Sequence, residues 1–414
     1  MGSLNKRVVI TGIGAITPIG ITLDAIEKSL RESLSGIKLI THFDTEKLPV
    51  KFAGEASQFK AEDFLDAKEI RRNDRFIHMC LAAADMAVKD AGISAERLHE
   101  AGVAIGVGLG GLYTIEEAAV EMNHSGAKRV SPFLIPSILA NLASGQVSIR
   151  YGTKGANYSI SSACASGSQA IGQAYREIQS GRRDLWIAGG SEAPITPLSI
   201  AGFSSARALS RRNEEPVLAS RPFDQERDGF VLGEGAALFI IESLDSALQR
   251  DARIYAEIIG FGIASDGYHV TEPDPNGEGA YLAMREAIED AALPVSDIDY
   301  INAHATSTMV GDKVEAVAME RIFGEQMPLT FVSSTKSLTG HACGAAGALE
   351  TAFCLLMLLK DFLPPAFNLE HISPEFRFKS PGQTESNFRS NIIMNNSFGF
   401  GGINTSMLLK RMDR

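Results

Sequence analysis

The chain is poor in cysteine, with four in 414 residues, and their positions exclude several kinds of site. Cys80, Cys164, Cys343 and Cys354 are too scattered for a disulfide framework. No two of them have the C-x-x-C spacing of a metal or redox motif. We therefore expect a reducing compartment, which is the cytoplasm, or an organellar matrix if the chain is eukaryotic.

Long apolar runs are also absent. The longest candidate, residues 353–359, falls short of the roughly 18 apolar residues that span a bilayer, so we expect a buried helix there. The amino terminus lacks the regions of a signal peptide. Acidic residues outnumber basic ones by 50 to 39, and the net charge of −11 disfavours nucleic acid and membrane as partners. An acidic protein partner would need a locally basic surface.

Short apolar runs alternate with helical patterns along the chain, which also contains 39 glycines. Residues 157–161, 165–179 and 184–188 have the pattern of a β-α-β unit. This alternation favours an α/β protein whose strands are buried and mostly parallel.

A weak internal similarity indicates two related halves. Residues 87–93 and 287–293 are alike, and each segment precedes a predicted strand at a similar distance. No low-complexity or charged linker separates the halves. We expect a duplicated fold with one shared interface, divided into residues 1–250 and 251–414.

The sharpest candidate for chemistry is the segment 161–168, Ser-Ser-Ala-Cys-Ala-Ser-Gly-Ser. It follows a predicted strand, opens a predicted helix and contains only small residues. A cysteine at a helix amino terminus can have its pKa lowered from about 8.5 to roughly 3.5–7.5, which would make Cys164 a nucleophile. The alternative is a buried structural cysteine.

Two histidines lie in similar settings. His304 follows the predicted strand 299–301 among small polar residues, and His341 lies with Lys336 in a glycine-rich turn before a helix. Each could be a catalytic group or a hydrogen-bonded structural residue.

The segment 395–402 alternates glycine with phenylalanine, which predicts either a mobile loop with apolar plugs or a hairpin with core aromatics. The Gly-x-Gly segments at 106–111 and within 395–402 both lack the full spacing of a nucleotide-binding motif.

Together, the segments around Cys164, His304 and His341 and the segment 395–402 resemble the β-ketoacyl-[acyl-carrier-protein] synthases of types I and II. The resemblance is strongest to the synthase II branch. Three further segments carry the same resemblance: 7–14, 207–210 and 221–235. It covers nearly the whole chain and implies the thiolase fold, with two β-α-β-α-β-α-β-β halves in five α-β-α-β-α layers, as a homodimer. It also implies decarboxylative Claisen condensation of acyl and malonyl groups carried by acyl-carrier protein.

The resemblance assigns roles by position. Cys164 would be the nucleophile that accepts the acyl chain, and the backbone amides of Cys164 and Phe400 would bind the oxyanion. His304 and His341 would act on malonyl-carrier protein, with Lys336 polarising the site. The resemblance also implies that Glu350 orients Lys336 and that Phe400 gates access to the thiol. The positions implied to bind substrate are Leu109, Thr306, Thr308 and Phe398.

The second histidine is informative, because relatives with Cys-His-Asn or Cys-His-Cys sites lack it. Two neutral imidazoles can donate hydrogen bonds to the enolate that loss of CO2 leaves, and the lysine would keep them neutral by repulsion. His341 therefore favours decarboxylation. No metal or organic cofactor is required. Some relatives hold a monovalent cation nearby, and the matching positions are Asn302, Glu350, Asn395 and Asn396.

Acyl-carrier protein is acidic, so the enzyme needs a basic docking surface. Three basic clusters are candidates, and solvated surface charge is the alternative for each. They are Lys68, Arg71 and Arg72; Lys128 and Arg129; and Arg207, Arg211 and Arg212.

Several positions depart from the family pattern without removing a catalytic group. They are Ala305, Met309, Ala342, Cys343 and Ile403, and we expect them at the pocket rim, where they could shift chain-length preference.

Three alternatives stay open: a ketosynthase of polyketide or specialised lipid synthesis, a non-catalytic chain-length-factor-like partner, and a cysteine hydrolase. The intact Cys164 argues against the second.

Overall fold

A computed structural model describes residues 5–374, 376–382 and 384–412. The helices are α1 (Leu23–Glu32), α2 (Ala67–Arg72), α3 (Arg75–Ala91), α4 (Ala95–Glu100), α5 (Leu112–Ser125), α6 (Leu134–Ile138), α7 (Asn141–Tyr151), α8 (Ser166–Gln179), α9 (Pro197–Ser205), α10 (Leu244–Gln249), α11 (Glu278–Ala291), α12 (Met309–Phe323), α13 (Lys336–Thr339) and α14 (Ala346–Lys360). The strands are β1 (Val8–Ile16), β2 (Ile37–Leu39), β3 (Phe52–Gly54), β4 (Gly102–Gly106), β5 (Asn157–Ile160), β6 (Leu185–Glu192), β7 (Gly235–Ser243), β8 (Ala256–Ser265), β9 (Tyr300–Asn302), β10 (Phe331–Ser333), β11 (Phe362–Leu363), β12 (Glu385–Ser386), β13 (Ile392–Gly399) and β14 (Ile403–Lys410).

Ten strands form two sets of five with the same topology. The order is β10-β9-β13-β14-β8 in one set and β1-β7-β6-β4-β5 in the other. In each set the first three strands from the junction are antiparallel and the outer pairs are parallel. The sets meet where residues 8–10 of β1 pair with residues 256–258 of β8. The duplicated thiolase arrangement expected from the resemblance is confirmed.

The layers follow from which helices cover the strands. Helices α8 and α14 contact each other and strands of both sets, so they form the central layer. Helices α3 and α7 cover the set β1-β7-β6-β4-β5. Helix α11 covers β8 and β14 of the other set and packs against α12. The chain therefore has the five α-β-α-β-α layers, with its main apolar cluster around the central helices.

The central helix of the second half is longer than the sequence analysis expected. With its leading turn it spans Cys343–Lys360, 18 residues of mean hydropathy 1.5, which is long and apolar enough to cross a membrane. The expectation that no stretch reaches this length was wrong. However, 89% of the segment is buried inside the protein, so the interpretation as a core helix is confirmed.

The internal sequence similarity reflects the same close packing in both halves. A Cβ added at Gly14 of β1 would lie 2.0 Å from the Ala83 carbonyl oxygen of α3. A Cβ added at Gly262 of β8 would lie 2.0 Å from the Ala283 carbonyl oxygen of α11. These helices rest directly on strand backbone, which requires glycine on the strand and favours alanine on the helix.

The repeated aspartate has a matching role. The carboxylate of Asp90 accepts a hydrogen bond from the Ile13 amide (2.9 Å) in β1. The carboxylate of Asp290 accepts one from the Phe261 amide (3.0 Å) in β8. Each aspartate thus joins the end of a helix to the strand beneath it, and this explains why Asp recurs in both halves.

We predict that Gly262→Ala destabilises the protein by about 1–3 kcal/mol, because the new methyl group would overlap helix backbone that cannot move locally. Gly202→Ala is the matched control, since a Cβ there meets no atom within 4 Å. In the interior of α9 it should be neutral or stabilising by up to about 1 kcal/mol. Calorimetric melting of both variants checks this, and equal melting temperatures would contradict it.

Candidate active site

Cys164 lies at the turn between a strand and a central helix, as predicted. After β5 the chain makes a short three-ten turn, Ala163–Ala165, which leads directly into α8. Ala163 has φ = 49°, a left-handed conformation that a small side chain adopts at lower cost than a branched one. The sharp turn leaves the half-buried Cys164 side chain directed into a cavity.

The two histidines come from loops of the second half. His304 follows β9, and its backbone amide and that of Ala305 donate to the carboxylate of Glu315 in α12 at 2.9 and 2.7 Å. His341 lies between α13 and the next three-ten turn, and its amide donates to the Val231 carbonyl oxygen at 2.7 Å. These backbone hydrogen bonds fix the two loops that carry the imidazole rings.

The three chemical groups converge. Cys164 Sγ lies 2.9 Å from His341 Nε2, a hydrogen bond across the two halves. The rings of His304 and His341 are 5.4 Å apart and nearly perpendicular. Phe398 packs 5.7 Å from the His304 ring, and Phe230 packs 5.4 Å from the His341 ring. The aromatic rings limit access of water to the imidazoles.

Both imidazoles are neutral. Burial lowers the pKa of His304 and His341 well below 6.5, and the nearby Lys336 ammonium lowers both further. Neutrality was predicted, but with repulsion by the lysine as its cause. Burial is the larger contribution, because moving an imidazolium out of water costs more than the cation's repulsion adds.

The thiol does not have the lowered pKa that its helix-terminal position suggested. Burial raises the pKa of Cys164 to about 12, although Lys336 and the backbone amide of Phe400 oppose the shift. Burial therefore outweighs the lowering of the pKa that a helix amino terminus can produce. The resting site is a neutral thiol hydrogen bonded to a neutral imidazole, and the sulfur must lose its proton as it attacks.

Lys336 and Glu350 form a buried ion pair close to the histidines. Both side chains are about 2–3% exposed, and the ammonium contacts one carboxylate oxygen. Burial raises the pKa of Glu350 to about 7, against the lowering effect of Lys336. The pairing predicted between these residues is present, and it places a fixed positive charge beside the reacting groups.

Cys164, His304 and His341 line one cavity of about 570 Å³. The residues predicted to bind substrate also line it: Leu109, Thr306, Thr308 and Phe398. Phe400 belongs to the same wall and is 42% exposed, followed by two glycines with φ of 85° and 71°. A side chain on such a loop can move with little backbone strain, as a gate requires.

The departures from the family pattern divide into two groups. Met309 and Cys343 line the cavity. Ala305, Ala342 and Ile403 do not, since Ala305 and Ala342 are buried in packing and Ile403 pairs with Gly399 across β13 and β14. Met309 and Cys343 therefore lie at the cavity, as predicted, whereas the other three residues do not line it.

The four residues suggested for a cation are not brought together as one set. Asn302 donates to the side-chain oxygen of Asn395 at 3.3 Å. The Asn396 side chain instead donates to Glu315 at 3.1 Å, on the other face of β13. Glu350 is paired with Lys336. The described residues contain no group of three or more His, Cys, Asp or Glu suited to a metal ion.

The predicted docking residues lie on the surface. Lys68, Arg71 and Arg72 are on α2, and Lys128 and Arg129 are in the turn after α5. The Arg72 guanidinium stacks 4.5 Å from the ring of Phe133, which follows Arg129 by four residues. Arg207 lines the cavity, whereas Arg212 is paired with Glu226 and Asp228.

Two buried carboxylates escaped the sequence analysis. Glu315 holds the His304 loop through two backbone amides. Glu192, at the end of β6, accepts backbone hydrogen bonds from two loops that line the cavity. In the sequence, each of these glutamates is marked only as an acidic residue among neighbours whose pattern predicts burial.

Comparison with known families decides the identity. The family model described as the β-ketoacyl synthase N-terminal domain matches residues 5–247, and the β-ketoacyl synthase C-terminal domain matches residues 255–370. The chain belongs to the β-ketoacyl synthase family. It is therefore a condensing enzyme of the acyltransferase type.

Curated relatives of this β-ketoacyl synthase are similar over nearly their whole length. The 3-oxoacyl-[acyl-carrier-protein] synthase 2 of Synechocystis sp. is 46% identical over 98% of both chains. The protein of the same name from Staphylococcus aureus is 45% identical over 99% of this chain and 100% of its own. The resemblance to synthase II is thus confirmed.

Solved structures agree on the fold. A β-ketoacyl synthase from Burkholderia phymatum is 37% identical with a TM-score of 0.91, covering 99% of this chain and 100% of its own. A type II polyketide ketosynthase in complex with its acyl-carrier protein is 30% identical, with the same TM-score and coverage.

The raised thiol pKa has a measurable consequence. We predict that alkylation of Cys164 by iodoacetamide keeps accelerating with pH beyond about pH 9, because only the thiolate reacts. A Cys164→Ala variant measures the background from the three buried cysteines. A rate that levels off below about pH 8 would indicate a thiolate–imidazolium pair and contradict the neutral resting site.

Proposed function

We propose that this β-ketoacyl synthase condenses acyl-acyl-carrier protein with malonyl-acyl-carrier protein to give 3-oxoacyl-carrier protein, CO2 and free carrier, as a step of fatty acid elongation. The single observation that carries the proposal is the 2.9 Å contact between Cys164 Sγ and His341 Nε2, with the His304 ring beside it. A nucleophile and two neutral donors in one cavity can support both half-reactions.

In the first half-reaction, Cys164 sulfur attacks the thioester carbonyl of the acyl carrier. His341 takes the thiol proton through Nε2 and returns it to the departing carrier thiolate. The carbonyl oxygen becomes an oxyanion, and the backbone amides of Cys164 and Phe400 are the proposed donors to it. One such donor contributes about 2.7–4 kcal/mol in related acyl transfers.

In the second half-reaction, malonyl carrier loses CO2 and its thioester becomes an enolate. Neutral His304 and His341 donate N–H hydrogen bonds to the enolate oxygen, so no imidazolium has to be formed at this step. For His341 this needs the tautomer with its proton on Nε2, which the ring reaches by proton exchange with solvent after the first half-reaction. The enolate carbon then attacks the Cys164 thioester, and sulfur leaves as the thiolate, which takes up a proton from solvent to restore the resting thiol. The Lys336 ammonium supports the negative charges that develop nearby.

The alternatives are less well supported. The relatives named 3-oxoacyl-[acyl-carrier-protein] synthase 2 are about 45% identical, compared with 30–31% for the polyketide ketosynthases. A chain-length-factor-like partner would not need the Cys164–His341 pair. A hydrolase would need ordered water beside the thioester, but aromatic rings flank the two imidazoles.

Two substitutions separate the half-reactions. Cys164→Ala should abolish acyl loading but retain decarboxylation of malonyl carrier. His341→Ala should still accept acyl groups, more slowly because the thiol has lost its base, but should lose decarboxylation by at least about 100-fold. Intact-mass analysis of the protein and release of CO2 report the two steps. If both folded variants lose both reactions, the proposed division of roles is wrong.

We propose that the acidic carrier docks on the basic clusters around the cavity. The exposed positions of Arg129 and Arg207, the second of them in the cavity wall, support this. A ketosynthase of this fold has been solved with its carrier protein bound.

Reversal of both arginines to Glu should raise the KM for acyl carrier at least about tenfold, because charge complementarity becomes repulsion. The control reverses exposed Lys89 and Arg253, which lie at the far end of α3 and before β8. An unchanged KM in the first variant would contradict this docking surface.

We also propose a homodimer in the cytoplasm. In the described part of the chain β5 is an edge strand of the sheet, and α7, which packs against it, exposes Ile149. Val120 and Met122 of α5, Ile135 of α6 and Ile149 are 48–72% exposed, and burial of such apolar side chains would favour a dimer. Within each subunit, we propose the division into residues 1–250 and 251–414, which the two matched family domains support.

A further inference from the structure

The carboxylate of Glu192 joins two separate segments of the cavity wall. It accepts backbone hydrogen bonds from Gly108 (2.6 Å), Leu109 (3.1 Å) and Gly110 (3.0 Å), in the loop after β4. It also accepts one from the Gly344 amide (3.1 Å), in the turn before α14. The Glu192 side chain is fully buried, so these amides are its main compensation for loss of water.

Both joined segments face the reactive thiol. Leu109 and Cys343 line the cavity that contains Cys164, together with the rings of Phe203 and Phe230. Cys343 packs in an apolar cluster that includes both rings. This is the apolar part of the cavity wall, and an acyl chain bound to Cys164 requires such a lining.

The duplicated fold explains why an anion lies here. The turns Ala163–Ala165 and Cys343–Ala345 are equivalent in the two halves, since each begins with a residue of positive φ (49° and 43°) and leads into a central helix. Gly344 is thus the counterpart of Cys164. The Cys164 amide is proposed to bind the substrate oxyanion, and the Gly344 amide at the equivalent position donates to the Glu192 carboxylate.

Glycine is required at this counterpart position. A Cβ added at Gly344 would lie 2.5 Å from the Glu192 carboxylate and 2.3 Å from the Gly108 amide nitrogen. The turn before α14, the carboxylate and the loop after β4 therefore form one close-packed unit. Displacing any of them must move the wall that carries Leu109 or Cys343.

We propose that Glu192 is a positioning residue that sets the acyl-chain selectivity of the enzyme, by holding the Leu109 loop against the Cys343–Gly344 turn. This inference rests on the proposed function, because it assumes that the apolar wall receives the acyl chain of the Cys164 thioester. A glutamine cannot replace the carboxylate, since it offers one acceptor oxygen and turns two N–H donors towards backbone amides.

The charge of Glu192 gives a second, independent readout. Charged groups that act on Cys164 are Lys336, which lowers the pKa of the thiol, and Glu192 and Glu350, which raise it. Glu192 also raises the pKa of Cys343, and burial raises the pKa of Glu192 itself to about 7. Removing the Glu192 charge should therefore make the Cys164 thiol more acidic. Loosened packing would act in the same direction by solvating the sulfur, and the charge-preserving Glu192→Asp variant separates the two effects.

The test compares Glu192→Gln with Glu242→Gln. Glu242 is an equally buried carboxylate at the opposite end of the adjacent strand β7, bonded to Thr11, Ser246 and Arg250. The rate of Cys164 acylation is measured with carriers bearing butyryl to palmitoyl chains. In Glu192→Gln the ratio of best to worst substrate should fall by about tenfold or more, the loss expected for one charged hydrogen bond.

In the same variant, alkylation of Cys164 at about pH 8 should become severalfold faster. Glu242→Gln should leave the selectivity ratio and the alkylation rate unchanged. If Glu192→Gln does not fold, Glu192→Asp replaces it: the shorter carboxylate keeps the charge but reaches only one segment, so selectivity falls while alkylation is unaltered.

The outcomes separate this inference from the proposed function. A wild-type protein that forms no 3-oxoacyl product overturns the proposed function. A wild-type protein that condenses, with a selectivity ratio that Glu192→Gln leaves unchanged, or with no selectivity at all, overturns the role of Glu192 alone.

Discussion

The hydrogen bond between Cys164 of the first half and His341 of the second is the contact on which the rest of the site depends. It forms only because the starts of two central helices come unusually close. A Cβ at Gly167 would lie 2.9 Å from the Gly344 carbonyl oxygen, and one at Gly347 would lie 2.8 Å from the Ser168 Cβ. The small residues that make the cysteine segment conspicuous in the sequence therefore allow the two halves to join.

Burial then determines the protonation of the groups that this packing brings together. It holds the imidazoles of His304 and His341 neutral and raises the pKa of the Cys164 thiol, while Lys336 supplies a positive charge whose partner, Glu350, is buried with it. The fold thus provides neutral donors near a cation, which suits a reaction that creates negative charge on substrate oxygen. It does not provide a stored thiolate.

Much of this was predictable from the sequence, because it depends on local pattern. The strand-to-turn-to-helix setting of Cys164 and the strand-end position of His304 are local features, and the repeat of Ala and Asp near residues 87 and 287 reflects helices packed on glycine strands. The family resemblance supplied the pairing of His304 with His341.

What the sequence could not show depends on burial and on which face of a strand a side chain occupies. The thiol pKa follows from burial of the sulfur rather than from the helix terminus. The opposite orientations of Asn395 and Asn396 separate residues that are adjacent in the sequence. Glu192 is a single acidic residue whose backbone partners lie 82 or more residues away in the chain, so no spacing marks it. Glu315 bonds to a loop 10–11 residues before it, a separation that matches no motif.

A single-turnover experiment tests the central claim most directly. The protein is mixed with acyl carrier, digested and analysed by mass spectrometry, and malonyl carrier is then added to the undigested remainder. The account predicts an acyl group on the peptide that contains Cys164, and its quantitative transfer to an elongated 3-oxoacyl carrier with release of CO2. An acyl group on another residue, or its release as free fatty acid without elongation, would contradict the account.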